Sequence, residues 1–199
     1  MPPIVDADAL VVLGGSMSCQ DDAEAPCPAP PRQLISRTVR AGTPFLGICL
    51  GHQLATVALG GQVCTSDHFC LGAAEMHLTP EGKKDPLLSV YDGHRGIHFN
   101  NDVAVVLPED AVLLARDPTG QIEAVRFAER AWGVQFHPEC TPEIFDAWTI
   151  GHGEKEWQQR LPWSEAVTVA ETVRRDIDTV NAEEAFAARF QELIDPEKR

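Results

Sequence analysis

Short apolar runs closed by glycine set the rhythm of the first part of the chain. Ala9-Leu10-Val11-Val12-Leu13 is one such run, and it stops at Gly14-Gly15. A run of this length predicts a buried strand followed by a tight turn. Asp21 to Pro31 is rich in proline, alanine and acid, which predicts a loop. Between Pro30-Pro31 and Gly42, the segment Arg32 to Arg40 predicts a helix. Pro44 to Ile48 predicts a second buried strand, which runs into Cys49-Leu50-Gly51. His52 to Leu59 has helical character and Gly60-Gly61 stops it. Alternating strand and helix predicts a parallel sheet and an α/β fold.

From Gln62 to Arg130 the pattern changes to short apolar runs broken by turns. Glu75 to Leu78, Val103 to Leu107, Ala111 to Leu114 and Ala124 to Phe127 predict strands, several of them antiparallel. Trp132 to Phe136 is a further strand that leads into His137-Pro138-Glu139. Beyond Pro142 the chain turns helical. Ser164 can cap a helix carrying Val169, Val173, Ile177 and Val180, and Asn181 with Glu184 reads as a capping box. A last helix sets Phe186, Phe190, Leu193 and Ile194 on one face. Residues 1–150 therefore form the main domain, and 151–199 a helical extension of it.

Composition narrows the function classes. With 199 residues the chain can bury a sizeable core. The net charge of −14 disfavours phosphate backbones and anionic membranes, so neither nucleic acid nor membrane is an expected partner. No apolar stretch is long enough to span a bilayer, and the N-terminus lacks the pattern of a secretory signal. A cytoplasmic location is the expectation. The cysteines at 19, 27, 49, 64, 70 and 140 form no Cys-x-x-Cys pair and read as free thiols. Cys64, His68, Cys70 and His77 match no common zinc spacing, so no metal site is assigned. His94 and His98 fall in an expected surface loop.

Gly47-Ile48-Cys49-Leu50-Gly51 has the spacing of a nucleophile elbow. A thiol on a sharp strand-to-helix turn projects clear of the sheet, and glycines two positions either side relieve the crowding. The following helix aims its N-terminal amides at the sulfur, which favours the thiolate. The Leu50 amide can also donate to an oxyanion. Such a thiol needs a base, and the base needs an orienting acceptor. His137 ends an apolar strand, and Glu139 stands two residues on. Residues i and i+2 of an extended segment point the same way, and Pro138 biases His137 toward that geometry. Glu139 can then hold one imidazole nitrogen while the other faces Cys49.

Together these segments resemble the class I glutamine amidotransferase family. Pro44 to Gln53 looks like its nucleophile segment, Gly133 to Glu139 like its His-Glu segment, and Asp8 to Asp22 like its oxyanion strand, particularly that of GMP-synthase-like members. The resemblance implies a flavodoxin-like, mostly parallel sheet with flanking helices. It implies hydrolysis of the glutamine side-chain amide through a cysteinyl thioester, with no cofactor. Cys49, His137 and Glu139 would form the triad. The Leu50 amide and a backbone amide of Gly14 or Gly15 would bind the oxyanion, and Gln53 would help hold the substrate. Three differences from the family stand out. Its strand-helix-strand ahead of the Asp8 segment is missing, which predicts an N-terminally truncated sheet with an open edge at Ala9–Leu13. Its His-x-Asp is Asn100-Asn101-Asp102 here. No synthetase domain follows, so ammonia would pass to a separate synthetase or acceptor subunit, or the chain would be a stand-alone hydrolase.

Two rival readings follow from those differences. One is a γ-glutamyl peptidase or hydrolase using the same triad on another γ-glutamyl compound. The other is a catalytically impaired remnant that binds a partner, or a second copy of itself, through the open sheet edge.

Overall fold

The computed structural model describes residues 7–15, 17–18, 29–151, 163–177 and 182–195. Six strands form one sheet: β1 (Leu10–Val12), β2 (Phe45–Ile48), β4 (His77–Leu78), β6 (Val112–Arg116), β7 (Ile122–Ala128) and β8 (Ala131–Val134). Their order across the sheet is β1-β2-β8-β7-β6-β4. β1, β2 and β8 pair in parallel, and β7, β6 and β4 continue antiparallel. Four of the six strands thus run in one direction. A separate antiparallel pair joins β3 (Gln62–Glu75) to β5 (Arg95–Val106). The described helices are α1 (Ala29–Arg40), α2 (Leu50–Ala58), α3 (Pro142–Gly151), α4 (Trp163–Ile177) and α5 (Glu183–Ile194). The α/β class and the flavodoxin-like arrangement expected from the sequence are what is observed.

The expected elements fall within a few residues of the observed ones. The exception is the length of β3 and β5. β3 mixes polar and apolar residues without a regular alternation, and long-range pairing rather than local pattern extends it. Val180 and the Asn181 cap lie outside the described residues, as do Cys19 and Cys27.

β1 is an edge strand. Among the described residues it pairs only with β2, and Val11 and Leu13 are 45% and 56% exposed. The opposite faces of the sheet carry the cores. On one, Phe186 and Phe190 of α5 pack with Tyr91, Trp132 and Phe136. On the other, Ile35 and Val39 of α1 and Leu50 and Leu54 of α2 pack with Phe45, Val125 and Phe127. α4 packs on β3, its Asp176 pairs with Arg95 of the neighbouring β5 at 3.1 Å, and its Arg174 pairs with Asp146 of α3.

One correction concerns His98. It is not in a surface loop but buried in β5, with its Nε2 2.7 Å from Glu123 Oε2 and its Nδ1 3.0 Å from the Gly96 oxygen. Gly96, in the same strand, is a packing glycine, because a Cβ there would meet Phe136 at 2.8 Å. Burial disfavours the His98 cation, but the Glu123 carboxylate outweighs it, so the imidazole pKa is raised.

His52, on α2, is fully buried against Phe127, with ring centroids 5.9 Å apart. Neither ring nitrogen has a hydrogen-bond partner. Gly133 makes the room, because a Cβ there would sit 2.4 Å from His52 Nδ1. Burial pushes the imidazole down to about 4. Its unfolded value is about 6.5, so the unfolded chain binds a proton that the folded chain excludes between those two pH values. Stability is therefore kept above pH 6.5 and lost as pH falls toward 4, by about 3 kcal/mol from this group. His52→Leu removes that part of the acid sensitivity, which urea denaturation at pH 7 and pH 4.5 measures directly.

Candidate active site

Cys49 follows β2 directly and caps α2. It is the only described non-glycine residue with positive φ, at φ 51° and ψ −106°. Its amide donates to the Val134 oxygen at 2.8 Å, and its carbonyl accepts from the Gln53 amide at 3.1 Å. The backbone is thus held on both sides of a conformation that costs about 1–3 kcal/mol. The flanking glycines are needed for contact. A Cβ at Gly51 would lie 2.1 Å from the Val12 oxygen, and one at Gly47 would lie 2.6 Å from the Gly51 carbonyl. β1, the elbow and α2 meet too closely for any side chain there.

His137 emerges three residues beyond β8. Its amide donates to the Ile97 oxygen at 2.8 Å, which ties the segment to β5. Its Nδ1 lies 2.8 Å from Glu139 Oε1, as the i, i+2 spacing implied. Trp148 of α3 covers the ring, with centroids 4.6 Å apart. Nε2 is buried without a hydrogen bond of ordinary geometry. The Cys49 sulfur is nonetheless close enough to act on the ring. Burial opposes the imidazolium, but Cys49 and Glu139 together outweigh burial and push the group up to about 9.

Gly14 closes the third side. A Cβ there would stand 2.9 Å from His137 Cε1 and 3.6 Å from Cys49 Cβ, so the two side chains converge on this glycine. A Cβ on Gly15 would stand 2.9 Å from Leu50 Cδ2. The amides of Leu50 and its neighbours open α2, where the first turn of a helix has no intrahelical acceptors. The structure therefore gathers Cys49, His137, Glu139, Gly14, Gly15 and Leu50. Gln53 sits beneath them, 3% exposed, with its Nε2 2.8 Å from the Asp102 oxygen. Asn100 is also buried, its Nδ2 3.2 Å from the same oxygen.

Cys140, two residues before the start of α3, provides an internal contrast. Burial, reinforced by Glu139 and Glu183, pushes its thiol up to about 12. Two acids thus oppose ionisation of that sulfur. Two neighbours of the site were not foreseen from the sequence, Trp148 and Gln135. Gln135 is fully buried and its Nε2 lies 3.6 Å from Cys49 Sγ. Its place inside the Gly133–Glu139 segment was the only available hint.

Comparison with known proteins identifies the family. The family model described as "Glutamine amidotransferase class-I" matches residues 3–151. The chain belongs to the class I glutamine amidotransferase family. It is 33% identical over 162 residues to the glutamine amidotransferase-like protein YfeJ of Salmonella typhimurium, covering 78% of this chain and 66% of that protein. It is 30% identical over 195 residues to the glutamine-hydrolysing GMP synthase of Tolumonas auensis, covering 90% of this chain and 34% of that one. A glutamine-hydrolysing GMP synthase subunit of Methanothermobacter thermautotrophicus is 34% identical over 101 residues, covering 48% of this chain and 51% of that one. The chain thus spans between a third and two thirds of the length of these relatives. The crystal structure of a Thermotoga maritima glutamine amidotransferase superposes with a TM-score of 0.80 at 20% identity, covering 98% of this chain and 81% of that one, which is a likeness of fold.

The strained bend gives a direct test on this amidotransferase domain. Alanine normally stabilises relative to glycine, but at φ 51° the order reverses. Cys49→Gly should be more stable than Cys49→Ala by about 1 kcal/mol in chemical denaturation.

Proposed function

We propose that this chain hydrolyses the side-chain amide of glutamine to glutamate and ammonia. The observation that carries the reading is the convergence of Cys49, His137 and Gly14 at the ends of three parallel strands. The Cys49 thiolate attacks the amide carbon, and a C–S bond forms as the carbonyl becomes an oxyanion. The Leu50 amide and a backbone amide of Gly14 or Gly15 receive that charge. The C–N bond then breaks, and the His137 imidazolium gives its proton to the departing nitrogen, releasing ammonia and leaving a γ-glutamyl thioester. His137, now neutral, takes a proton from water, and the resulting hydroxide attacks the thioester. Glutamate leaves and the thiolate returns. Glu139 keeps Nδ1 of His137 protonated and steadies the cation throughout. Gln53 holds its place under the substrate.

One relative is named as a single subunit of a GMP synthase, which supports delivery of ammonia to an acceptor site on a separate chain. The half-exposed β1 edge is where a further chain, or a second copy, would add a strand. A γ-glutamyl peptidase reading draws on Asn100, which replaces the histidine of the family pattern. No helix among the described residues is long and apolar enough to cross a membrane.

Ammonia release from free glutamine, coupled to a dehydrogenase readout, tests the proposal. Wild type should turn over, and Cys49→Ala should lose at least about a thousandfold. Turnover of γ-glutamyl dipeptides without turnover of glutamine points to the peptidase instead. The working form keeps His137 protonated, so activity falls as pH rises through about 9. Glu139 raises that value, so Glu139→Gln moves the alkaline limb to lower pH; a limb that stays in place shows that Glu139 does not hold the cation.

A further inference from the structure

Beneath the elbow a chain of polar groups has a fixed direction. The Asp102 backbone oxygen can only accept hydrogen bonds. It lies 2.8 Å from Gln53 Nε2 and 3.2 Å from Asn100 Nδ2, so both amides present their NH2 ends to it. The Gln53 NH2 also lies 3.3 Å from the side-chain amide of Gln135. A donor there requires the carbonyl end of Gln135 to face it, and the NH2 of Gln135 must then point the other way. That NH2 lies 3.6 Å from Cys49 Sγ. The two ends of a glutamine amide look alike, and only their partners orient them. Here one main-chain carbonyl orients both glutamines in series, and the group facing the sulfur is a donor.

We propose that Gln135 anchors the thiolate, its side-chain NH2 donating to the Cys49 sulfur and favouring the anion over the thiol. The proposal rests on Cys49 being the nucleophile. Gln135 is fully buried and Gln53 nearly so, which keeps water from competing for these bonds. The backbone of Gln135 is fixed by its amide, which donates to the Glu123 oxygen at 2.8 Å. Asp102 is fixed in turn, because its carboxylate accepts from Ser18 Oγ at 2.6 Å and from Thr65 Oγ1 at 2.8 Å. An apolar side chain would fill the space at Gln135 without the desolvation cost of a buried amide. The amide is placed instead where a charge develops. Of the titratable groups around the bend, His137 faces the sulfur with Glu139 behind it. The Asp102 carboxylate is taken up by its two hydroxyls, and His52 is held neutral against Gly133 and Phe127.

The experiment is the pH dependence of Cys49 alkylation by iodoacetamide, read by mass spectrometry of the Cys49 peptide. Exposed Cys64 serves as the internal control. Wild type, Gln135→Met and Gln53→Met are compared at equal folded fraction. In Gln135→Met the half-maximal pH should rise by about one unit, slowing alkylation at pH 7 by about tenfold relative to Cys64. Gln53→Met frees the Gln135 amide to turn and should shift the profile in the same direction by less. A folded Gln135→Met with lower Tm and an unmoved Cys49 profile overturns the proposal and leaves a packing role. Should that variant not fold, 15N-labelled wild type decides. The Gln135 side-chain NH2 resonances should titrate with Cys49 and lose that inflection in Cys49→Ala; resonances that ignore Cys49 overturn the proposal. Alkylation needs no substrate. A wild type that releases no ammonia from glutamine therefore counts against the nucleophile reading while this profile stays readable.

Discussion

The site depends on the in-register parallel pairing of three strands. Val12 pairs with Gly47, Gly47 with Gly133, and Ile48 with Val134. Each strand therefore leaves the sheet at nearly the same level and on the same edge. One step on, the chain delivers Cys49 from β2, Gln135 and then His137 from β8, and Gly14 from β1. The local segments are far apart in sequence, and only the ladder makes them neighbours. Sliding β8 by one residue would exchange the faces of its side chains and carry the imidazole away from the sulfur. The antiparallel half of the sheet supports this arrangement. Its Glu123 takes part from below, through His98 and through the backbone of Gln135.

The second constraint is the bend at Cys49. A left-handed backbone at a cysteine persists only where the surroundings leave no alternative. Here the Val134 oxygen holds its amide, and Gly47 and Gly51 let β1 and α2 close in on it. At this bend the Cys49 Cβ and the His137 ring both approach Gly14. Cys140 lies close to His137 in the chain but has no such bend, and burial pushes its thiol up to about 12. Identical side chains thus sit in different backbone and environment.

Much of this was legible in the sequence because it is local. The elbow is written in five consecutive residues, and the His-Glu pairing in three. The parallel strands declare themselves as short apolar runs, which end in glycine at β1 and at the elbow after β2 and in His-Pro-Glu after β8. What could not be read depends on distant partners. The burial of His52 is set by the absence of a side chain at Gly133, and that of His98 by Glu123. Gly96 is a space left for Phe136, which lies far off in the chain. The direction of the Gln53–Gln135 pair follows from a backbone carbonyl on β5, which carries no sequence signal of its own. The irregular mix of polar and apolar residues in β3 conceals a long strand because its order comes from β5.

A family fold with a converged thiol, imidazole and carboxylate makes a specific claim about reactivity, namely that position rather than exposure selects the reacting sulfur. Cys49 is 6% exposed, whereas Cys64 is exposed. A diazoketone analogue of glutamine separates the two, because it must be seated as a substrate before it can alkylate. Incubation with the folded protein followed by peptide mass spectrometry should place a single adduct on Cys49 and leave Cys64 free. Adducts on Cys64, or none on Cys49 in protein that remains folded, would contradict the claim that this elbow is an amide-hydrolysing centre.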